Sequence, residues 1–162
     1  MSSSITPLIG VRAPWSLDPE GAWPAADAAA WRATWAKQVQ ALHGTLAADD
    51  GETFLARIPD LAAALDLGLA LLPRSAVVAL GHGLCRTTEG RLLGPEPSRV
   101  RAILWRAPPG TFHCTDASRR ALEVPAGVGV HQAGGLAAAR VGLPLHQVTD
   151  YRGGRARGEP VG

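Results

Sequence analysis

Two cysteines, each close to a histidine, are the residues of this sequence whose types and spacing point most directly to chemistry. In "LGHGLCRT", residues 80–87, His82 precedes Cys85 by three positions, and in "TFHCTD" the residues His113 and Cys114 are adjacent. Imidazole and thiolate groups bind zinc and similar ions, or they pair as a base and a nucleophile. The pattern therefore suggests two kinds of site, a metal site and a thiol enzyme.

A metal site is the weaker of these two interpretations. His131 and His146 add to the candidate ligands, because they lie near predicted strand ends or loops, where the ligands of folded sites commonly originate. The sequence has no CxxC, HxxxH or HxH pair, however, and His82-x-x-Cys85 supplies only half of a site. We therefore predict no metal or other cofactor, and keep a metal held by histidine and cysteine as a minor alternative.

A thiol nucleophile is better supported at Cys114 than at Cys85. Cys114 directly precedes "TDAS", a predicted helix start, where the helix dipole would lower the pKa of the thiol and favour the thiolate. His131 or His146 could act as the base, since such partners meet only in the fold. The opposing interpretation is that a free cysteine is usually a small buried hydrophobe. The predicted catalytic residues are Cys114, His131 and His146.

Composition limits the class of protein. With 162 residues the chain is expected to form one domain, and it has no apolar run long enough to cross a membrane. The N-terminus does not have the pattern of a secretory signal, so both cysteines are expected to be free in a reducing cytoplasm. The net charge is only +2, with the arginines mostly scattered, so nucleic acid is not an expected partner.

Three regions are predicted. Residues 1–24 form an extended arm rich in tryptophan and proline, in which "SITPLIGVRA" could supply one edge strand. The indoles of Trp15 and Trp23 need burial, so we expect the arm to pack on its own domain, with docking on a partner as the alternative. Residues 25–151 form the domain, and residues 152–162 a flexible Arg/Gly tail.

The predicted elements give an α/β or α+β domain with two leading helices followed by mixed strands and short helices. One helix begins near residue 25 and carries an apolar stripe, and a second lies between Pro59 and Pro73. The stripe of the first helix consists of Trp31, Trp35, Val39, Leu42 and Leu46. Strands are predicted at "SAVVALGHG", "RVRAILWRA", "TFHC", "AGVGVHQ" and "LPLHQVTDY", with short helices at "TDASRRALEV" and "AGGLAAARVG".

Several segments taken in order resemble one family. "IPDLAAALDLGLALLP", "VVALGHGLCRTTEGRLL" and "VGVHQAGGLAAARVG" are similar to the N-terminal β-ketoacyl-synthase-like domain of chain-length-factor type proteins. The matching positions are His82, Gly83, Arg86 and Thr87 in one segment, and Val130, His131, Gln132 and Ala133 in another. The resemblance implies part of a thiolase-like α/β fold and an acyl-binding role for His82, Gly83, Arg86 and Gln132.

The leading functional prediction follows from this resemblance. It is a ketosynthase-like accessory protein of fatty-acid or polyketide-type biosynthesis, which forms an acyl pocket and does not condense. The implied partner is a ketosynthase or an acyl carrier, in a hetero- or homodimer. Two alternatives remain open: a small enzyme using the His/Cys site, and a structural subunit that grips a partner through the arm bearing Trp15 and Trp23.

Overall fold

The computed structural model describes residues 4–18, 23–134 and 139–152. The elements, in chain order, are β1 (Ser4–Arg12), α1 (Ala25–Ala41), β2 (Thr45–Leu46), β3 (Thr53–Arg57), α2 (Leu61–Leu71), β4 (Val77–Thr88), β5 (Arg91–Leu93), α3 (Pro95–Arg106), β6 (Thr111–Thr115), α4 (Asp116–Ala121), β7 (Val128–Gln132) and β8 (Leu145–Asp150). This architecture confirms the mixed α/β class. No helix in these ranges is both long and apolar enough to span a membrane.

The eight strands within the described residues belong to one mixed sheet, in the order β2-β3-β1-β4-β6-β8-β7, and β5 pairs with the end of β4. The β4–β6 pair is parallel, whereas the other pairs are antiparallel. The prediction of an edge strand in "SITPLIGVRA" was wrong, because β1 lies inside the sheet between β3 and β4. Leu8 and Ile9 of this strand are fully buried, one on each face of the sheet.

Helices cover both faces of the sheet, which accounts for the double burial of the inner strands. On one face, α1 and α2 contribute Trp31, Trp35 and Leu65 to a core that also contains Ile9 and Phe112. On the other face, α3 contributes Val100, Ile103 and Leu104 to a second core that contains Leu8 and Ala79. The central strands therefore separate two apolar layers.

The two leading helices lie where the sequence predicted them. Asp60 caps α2, since its carboxylate accepts a hydrogen bond of 3.2 Å from the amide of Ala63, and the helix ends before Pro73. The apolar stripe of α1 ends at Val39. Leu46 lies in β2 and is exposed, so its inclusion in the predicted stripe was wrong.

The segment "RVRAILWRA" is helical and belongs to α3, so the predicted strand there was wrong. Val100, Ile103 and Leu104 recur at helical spacing and are all fully buried, although alternate positions also fitted a strand. Prolines at 95 and 97 lie in the first turn, where a helix tolerates the missing N–H. No strand was predicted between the first two helices, where β2 and β3 lie.

The later elements largely follow prediction. "TFHC", "AGVGVHQ" and "LPLHQVTDY" form β6, β7 and β8, and the helix predicted at "TDASRRALEV" is α4, which Thr115 caps. The helix predicted at "AGGLAAARVG" includes residues 135–138, which lie outside the described residues. The same is true of 153–162 in the predicted tail. The N-terminal segment packs on its own domain through β1, while the division into arm, domain and tail stays a prediction.

Candidate functional site

The structure places two of the three predicted catalytic residues opposite each other. Cys114 on β6 is the register partner of His146 on β8, and Nε2 of His146 lies 3.2 Å from Oδ1 of Asp116. His131 on β7 belongs to the neighbouring register row, opposite Gln147. The structure therefore brings Cys114 and His146 together and places His131 in a different row.

The Cys114 thiol is buried among apolar side chains of the first core. Burial raises its pKa to about 12, although a hydrogen bond with Ser118 acts in the opposite direction. The helix start was predicted to lower the pKa of Cys114, but desolvation of the thiolate is the larger effect. The thiol is protonated at neutral pH, and a catalytic role for Cys114, His131 or His146 stays a prediction.

The residues predicted to bind an acyl group lie in two separate places. The backbone N–H of His82 donates a 2.7 Å hydrogen bond to Oε2 of Glu96. A Cβ at Gly83 would lie 2.9 Å from Cβ of Glu96, so glycine permits the close approach of α3 to β4. Arg86 is exposed on β4, whereas Gln132 is exposed on β7 opposite His146.

A cleft that the sequence analysis did not identify lies between the β2–β3 turn, β5 and α3. Its volume is about 450 Å³, which is within the usual range for small-molecule sites. It is lined by Ala48, Asp49, Asp50, Thr53, Leu55, Arg91 and Arg101. The acidic residues of "ADDGE", residues 48–52, are distant from both arginines in the sequence and come together with them only in the fold.

The acidic side of the cleft is a hydrogen-bonded turn. Oδ1 of Asp50 accepts bonds from the amides of Glu52 at 2.9 Å and Thr53 at 2.7 Å, and Oδ2 accepts one from the Thr53 hydroxyl at 2.8 Å. Although burial acts to raise the pKa of Asp50, these bonds lower it overall. Oδ1 of Asp49 accepts a bond from the amide of Gly51. Both carboxylates therefore stabilise their own turn.

The basic side of the cleft consists of Arg91 on β5 and Arg101 on α3. Nη2 of Arg101 donates a 2.7 Å hydrogen bond to the carbonyl of Leu92. Burial, followed by the charge of Arg91, lowers the pKa of Arg101. Neither arginine takes part in an ion pair with another described residue. The two positive charges therefore make no direct ion pair among the described residues, although the charge of Asp50 in the same cleft acts to raise the pKa of Arg101.

Contacts from other elements fix the shape of the cleft. The indole Nε1 of Trp15 donates a 2.9 Å hydrogen bond to the carbonyl of Gly51, and the amide of Ala13 donates one of 2.8 Å to the carbonyl of Glu52. The amide of Ala48 also bonds to the carbonyl of Gly90 in the β4–β5 turn. The two turns that border the cleft are therefore held together, and the β2–β3 turn is also bonded to the residues that follow β1.

A metal ion is not supported by the side chains at the cleft. Within residues 4–18, 23–134 and 139–152, no three His, Cys, Asp or Glu side chains are grouped to hold a metal ion. The cleft offers Asp49 and Asp50, and most of their described hydrogen bonds are made inside their own turn. This donor set does not fit a magnesium ion bound by several carboxylates.

Comparison with known proteins identifies the fold. No protein-family model matches the chain, and neither does any curated protein. The adenylate/guanylate cyclase/hydrolase from Silicibacter pomeroyi matches with TM-score 0.71 and 13% identity, over 91% of this chain and 96% of that chain. The guanylate cyclase domain of RhGC from Catenaria anguillulae, in complex with GTP, matches with TM-score 0.65 and 11% identity over 93% and 99%. A dimeric guanylyl cyclase domain from Blastocladiella emersonii matches with TM-score 0.66 and 9% identity over 91% and 97%.

These neighbours overturn the resemblance to ketosynthase-like proteins. The matches extend over nine-tenths of this chain and nearly all of each cyclase domain, whereas the resemblance rested on short segments. The predictions of an accessory protein of fatty-acid or polyketide-type biosynthesis, of acyl binding, and of a ketosynthase or acyl-carrier partner were therefore wrong. Short motifs carry a risk of false matches, so these segments did not identify the fold. The chain has the fold of nucleotide cyclase domains.

Proposed function

We propose that this chain is a nucleotide-binding domain, which takes the phosphate groups of a nucleoside triphosphate in the cleft between the β2–β3 turn, β5 and α3. The observation that carries the proposal is the pair of guanidinium groups, Arg91 and Arg101, at that cleft. Guanidinium groups bind phosphate through parallel, charge-assisted hydrogen bonds. Binding of a purine nucleotide is supported by the neighbour of the same fold that was solved with GTP.

Electrostatics favours an anion at this place. Burial and the nearby charge of Arg91 disfavour the charged form of Arg101 more than the charge of Asp50 favours it, so the pKa of Arg101 is lowered. A phosphate between the two guanidiniums would offset that repulsion. Asp49 and Asp50 face the same cleft, but Asp50 is already stabilised by three hydrogen bonds from its own turn. Their charges restrict the phosphates to the arginine side.

The proposal concerns binding and includes no chemical step on the nucleotide. Two carboxylates that are bonded within one turn do not supply the metal site on which phosphate chemistry in proteins commonly depends. The residues of the cleft can bind and orient an anion. They do so on a frame held by Trp15 and by the bond between Ala48 and Gly90.

Isothermal titration with GTP, ATP and inorganic tripolyphosphate, each with and without magnesium, tests the proposal. Arg91→Ala and Arg101→Ala should each weaken binding by roughly tenfold, the value of one charge-assisted hydrogen bond. Arg106→Ala is the matched control, since Arg106 lies on the same helix but outside the cleft, and it should bind normally. Tripolyphosphate should compete with the nucleotide, and binding should weaken as salt is raised.

Two results would overturn the proposal. One is the absence of saturable binding by GTP, ATP and tripolyphosphate to the folded protein. The other is binding that is unchanged in the double variant of Arg91 and Arg101, which would place the nucleotide elsewhere. Circular dichroism of each variant separates loss of binding from loss of folding.

Homodimer formation is a second part of the proposal. A hetero- or homodimer was predicted, and one neighbour of this fold is a dimeric guanylyl cyclase domain, while another is a monomeric one. Sedimentation equilibrium at increasing protein concentration tests this, and a monomer at all concentrations would contradict it. A cytoplasmic location stays a prediction from the cysteine content and the N-terminal sequence.

A further inference from the structure

A second cavity, of about 350 Å³, lies between the start of α1 and the segment that joins α2 to β4. It shares no residue with the cleft proposed for the nucleotide. Its lining consists of Pro14, Trp23, Asp27, Ala30, Trp31, Pro73, Arg74 and Ser75. We propose that this cavity binds a free α-amino acid with an aromatic side chain, in its zwitterionic form.

The walls of the cavity suit a flat apolar group. They include the indole rings of Trp23 and Trp31 and the pyrrolidine rings of Pro14 and Pro73. Trp23 is 38% exposed, although large aromatic side chains are seldom left in water. An aromatic ring in the cavity would bury this surface and could stack on or meet the edge of an indole.

The charges at the cavity suit a zwitterion. Asp27 belongs to the first turn of α1, and Arg74 follows α2, so the two charges come from different elements. They form no ion pair with each other. An ammonium group can bind the carboxylate of Asp27, and a carboxylate can bind the guanidinium of Arg74. An α-amino acid carries both groups on one carbon, next to its side chain.

The cavity is already formed without a ligand, which reduces the entropy cost of binding. Nε1 of Trp31 donates a 2.8 Å hydrogen bond to the backbone carbonyl of Arg74 and so ties α1 to the segment after α2. Trp15 lies 5.3 Å from Trp31 and 5.6 Å from Trp23, measured between ring centroids. The aromatic wall is therefore supported by a ring behind it.

Calorimetric titration of the intact chain with L-phenylalanine tests the inference. Three related compounds separate the contributions: phenethylamine lacks the carboxylate, 3-phenylpropionate lacks the ammonium group, and N-acetyl-phenylalanine amide carries neither charge. Phenylalanine should bind at least tenfold more tightly than each of these compounds, since each of them lacks a group that makes a charge-assisted hydrogen bond. Nucleotide added at saturation should leave its affinity unchanged.

Variants assign the two charges. Arg74→Ala should reduce affinity for phenylalanine and 3-phenylpropionate by about tenfold but leave phenethylamine unaffected. Asp27→Asn should reduce affinity for phenylalanine and phenethylamine by about tenfold but leave 3-phenylpropionate unaffected. Arg106→Ala and Asp66→Asn are controls outside the cavity and should change nothing. The inference is overturned if phenylalanine shows no saturable binding, or if the uncharged amide binds as well as phenylalanine.

Discussion

The hydroxyl of Thr115 donates a 2.6 Å hydrogen bond to the carboxylate of Glu96, a side chain that is only 1% exposed. The same oxygen of Glu96 accepts the backbone N–H of His82, and the other oxygen lies 3.3 Å from a guanidinium nitrogen of Arg99. One buried carboxylate thereby connects α3 to β4 and to the junction of β6 with α4. Its charge is compensated by three donors, as a buried ion requires.

Removal of this carboxylate should strongly destabilise the fold. Glu96→Ala leaves the Thr115 hydroxyl and the His82 amide without an acceptor, and we expect a loss of about 3 kcal/mol in the free energy of unfolding. Glu96→Gln keeps one carbonyl oxygen and should lose less. Urea denaturation measures both, with the exposed Glu123→Ala as control. Equal stability of the Glu96→Ala variant and the wild type would contradict the role given to the carboxylate.

His113 should make the stability of the protein depend on pH. The side chain is fully buried, and neither ring nitrogen has a hydrogen-bond partner among the described residues. Burial, with a smaller contribution from the charge of His131, lowers its pKa from 6.5 to about 4. The unfolded chain therefore binds the proton more readily, and the stabilisation present above pH 6.5 is lost as the pH falls towards 4.

The expected loss from this residue is at most about 3 kcal/mol across that interval. Chemical denaturation at several pH values measures this loss. The slope of the free energy of unfolding against pH should fall in His113→Leu by an amount equivalent to up to one bound proton. The exposed His131 remains in both proteins, so the difference isolates His113. Equal slopes for the variant and the wild type would show that this imidazole is not kept neutral by the fold.

The parts of the fold that the sequence predicted well depend on local signals. Asp60 and the prolines at 59 and 73 bound α2, and Thr115 caps α4, because these residues act on neighbouring backbone groups. The segment of α3 was misassigned because Val100, Ala102 and Leu104 also fit the alternation of a strand. The edge position predicted for β1 was wrong because strand neighbours are set by the whole sheet.

The candidate cleft could not be predicted for a similar reason. Asp49 and Asp50 are some forty residues from Arg91 along the chain, and the turns meet through a single backbone bond from Ala48 to Gly90. The pairing of Cys114 with His146 was partly foreseen, since both were named as candidates. The burial of Cys114 depends on the tertiary packing of the first core, which reversed the expected direction of its pKa shift.

Both cysteines should react slowly with alkylating reagents in the folded protein. Cys114 is fully buried with its pKa raised to about 12, and burial also raises the pKa of Cys85. The thiolate is the reactive form, so iodoacetamide at neutral pH should modify either thiol mainly after unfolding. Mass spectrometry with and without denaturant measures this, and Cys85→Ala and Cys114→Ala assign each site. Rapid modification of Cys114 in the native protein would instead favour the thiol-enzyme hypothesis.

Gly68 provides the sharpest test of the packing between α2 and the sheet. A Cβ at this position would lie 2.5 Å from Cε2 of Phe112, a fully buried ring that belongs to β6. Alanine in place of glycine normally stabilises a helix by about 1 kcal/mol, whereas overpacking a core costs about 1–3 kcal/mol. Because the ring is fully buried in the first core, we expect Gly68→Ala to destabilise the protein by about 1 kcal/mol or more.

Two further variants separate the opposing effects at Gly68. Ala70→Gly, at an exposed position of the same helix, should lose about 1 kcal/mol and so measures helix propensity in α2. In a Phe112→Leu background the clash is relieved, and Gly68→Ala should become neutral or stabilising. The coupling between the two sites, from urea denaturation of the four proteins, should therefore be positive and of about 1–2 kcal/mol. Additive effects would mean that α2 shifts away from β6 to accept the methyl group, and that the contact between Gly68 and Phe112 does not fix the position of the helix.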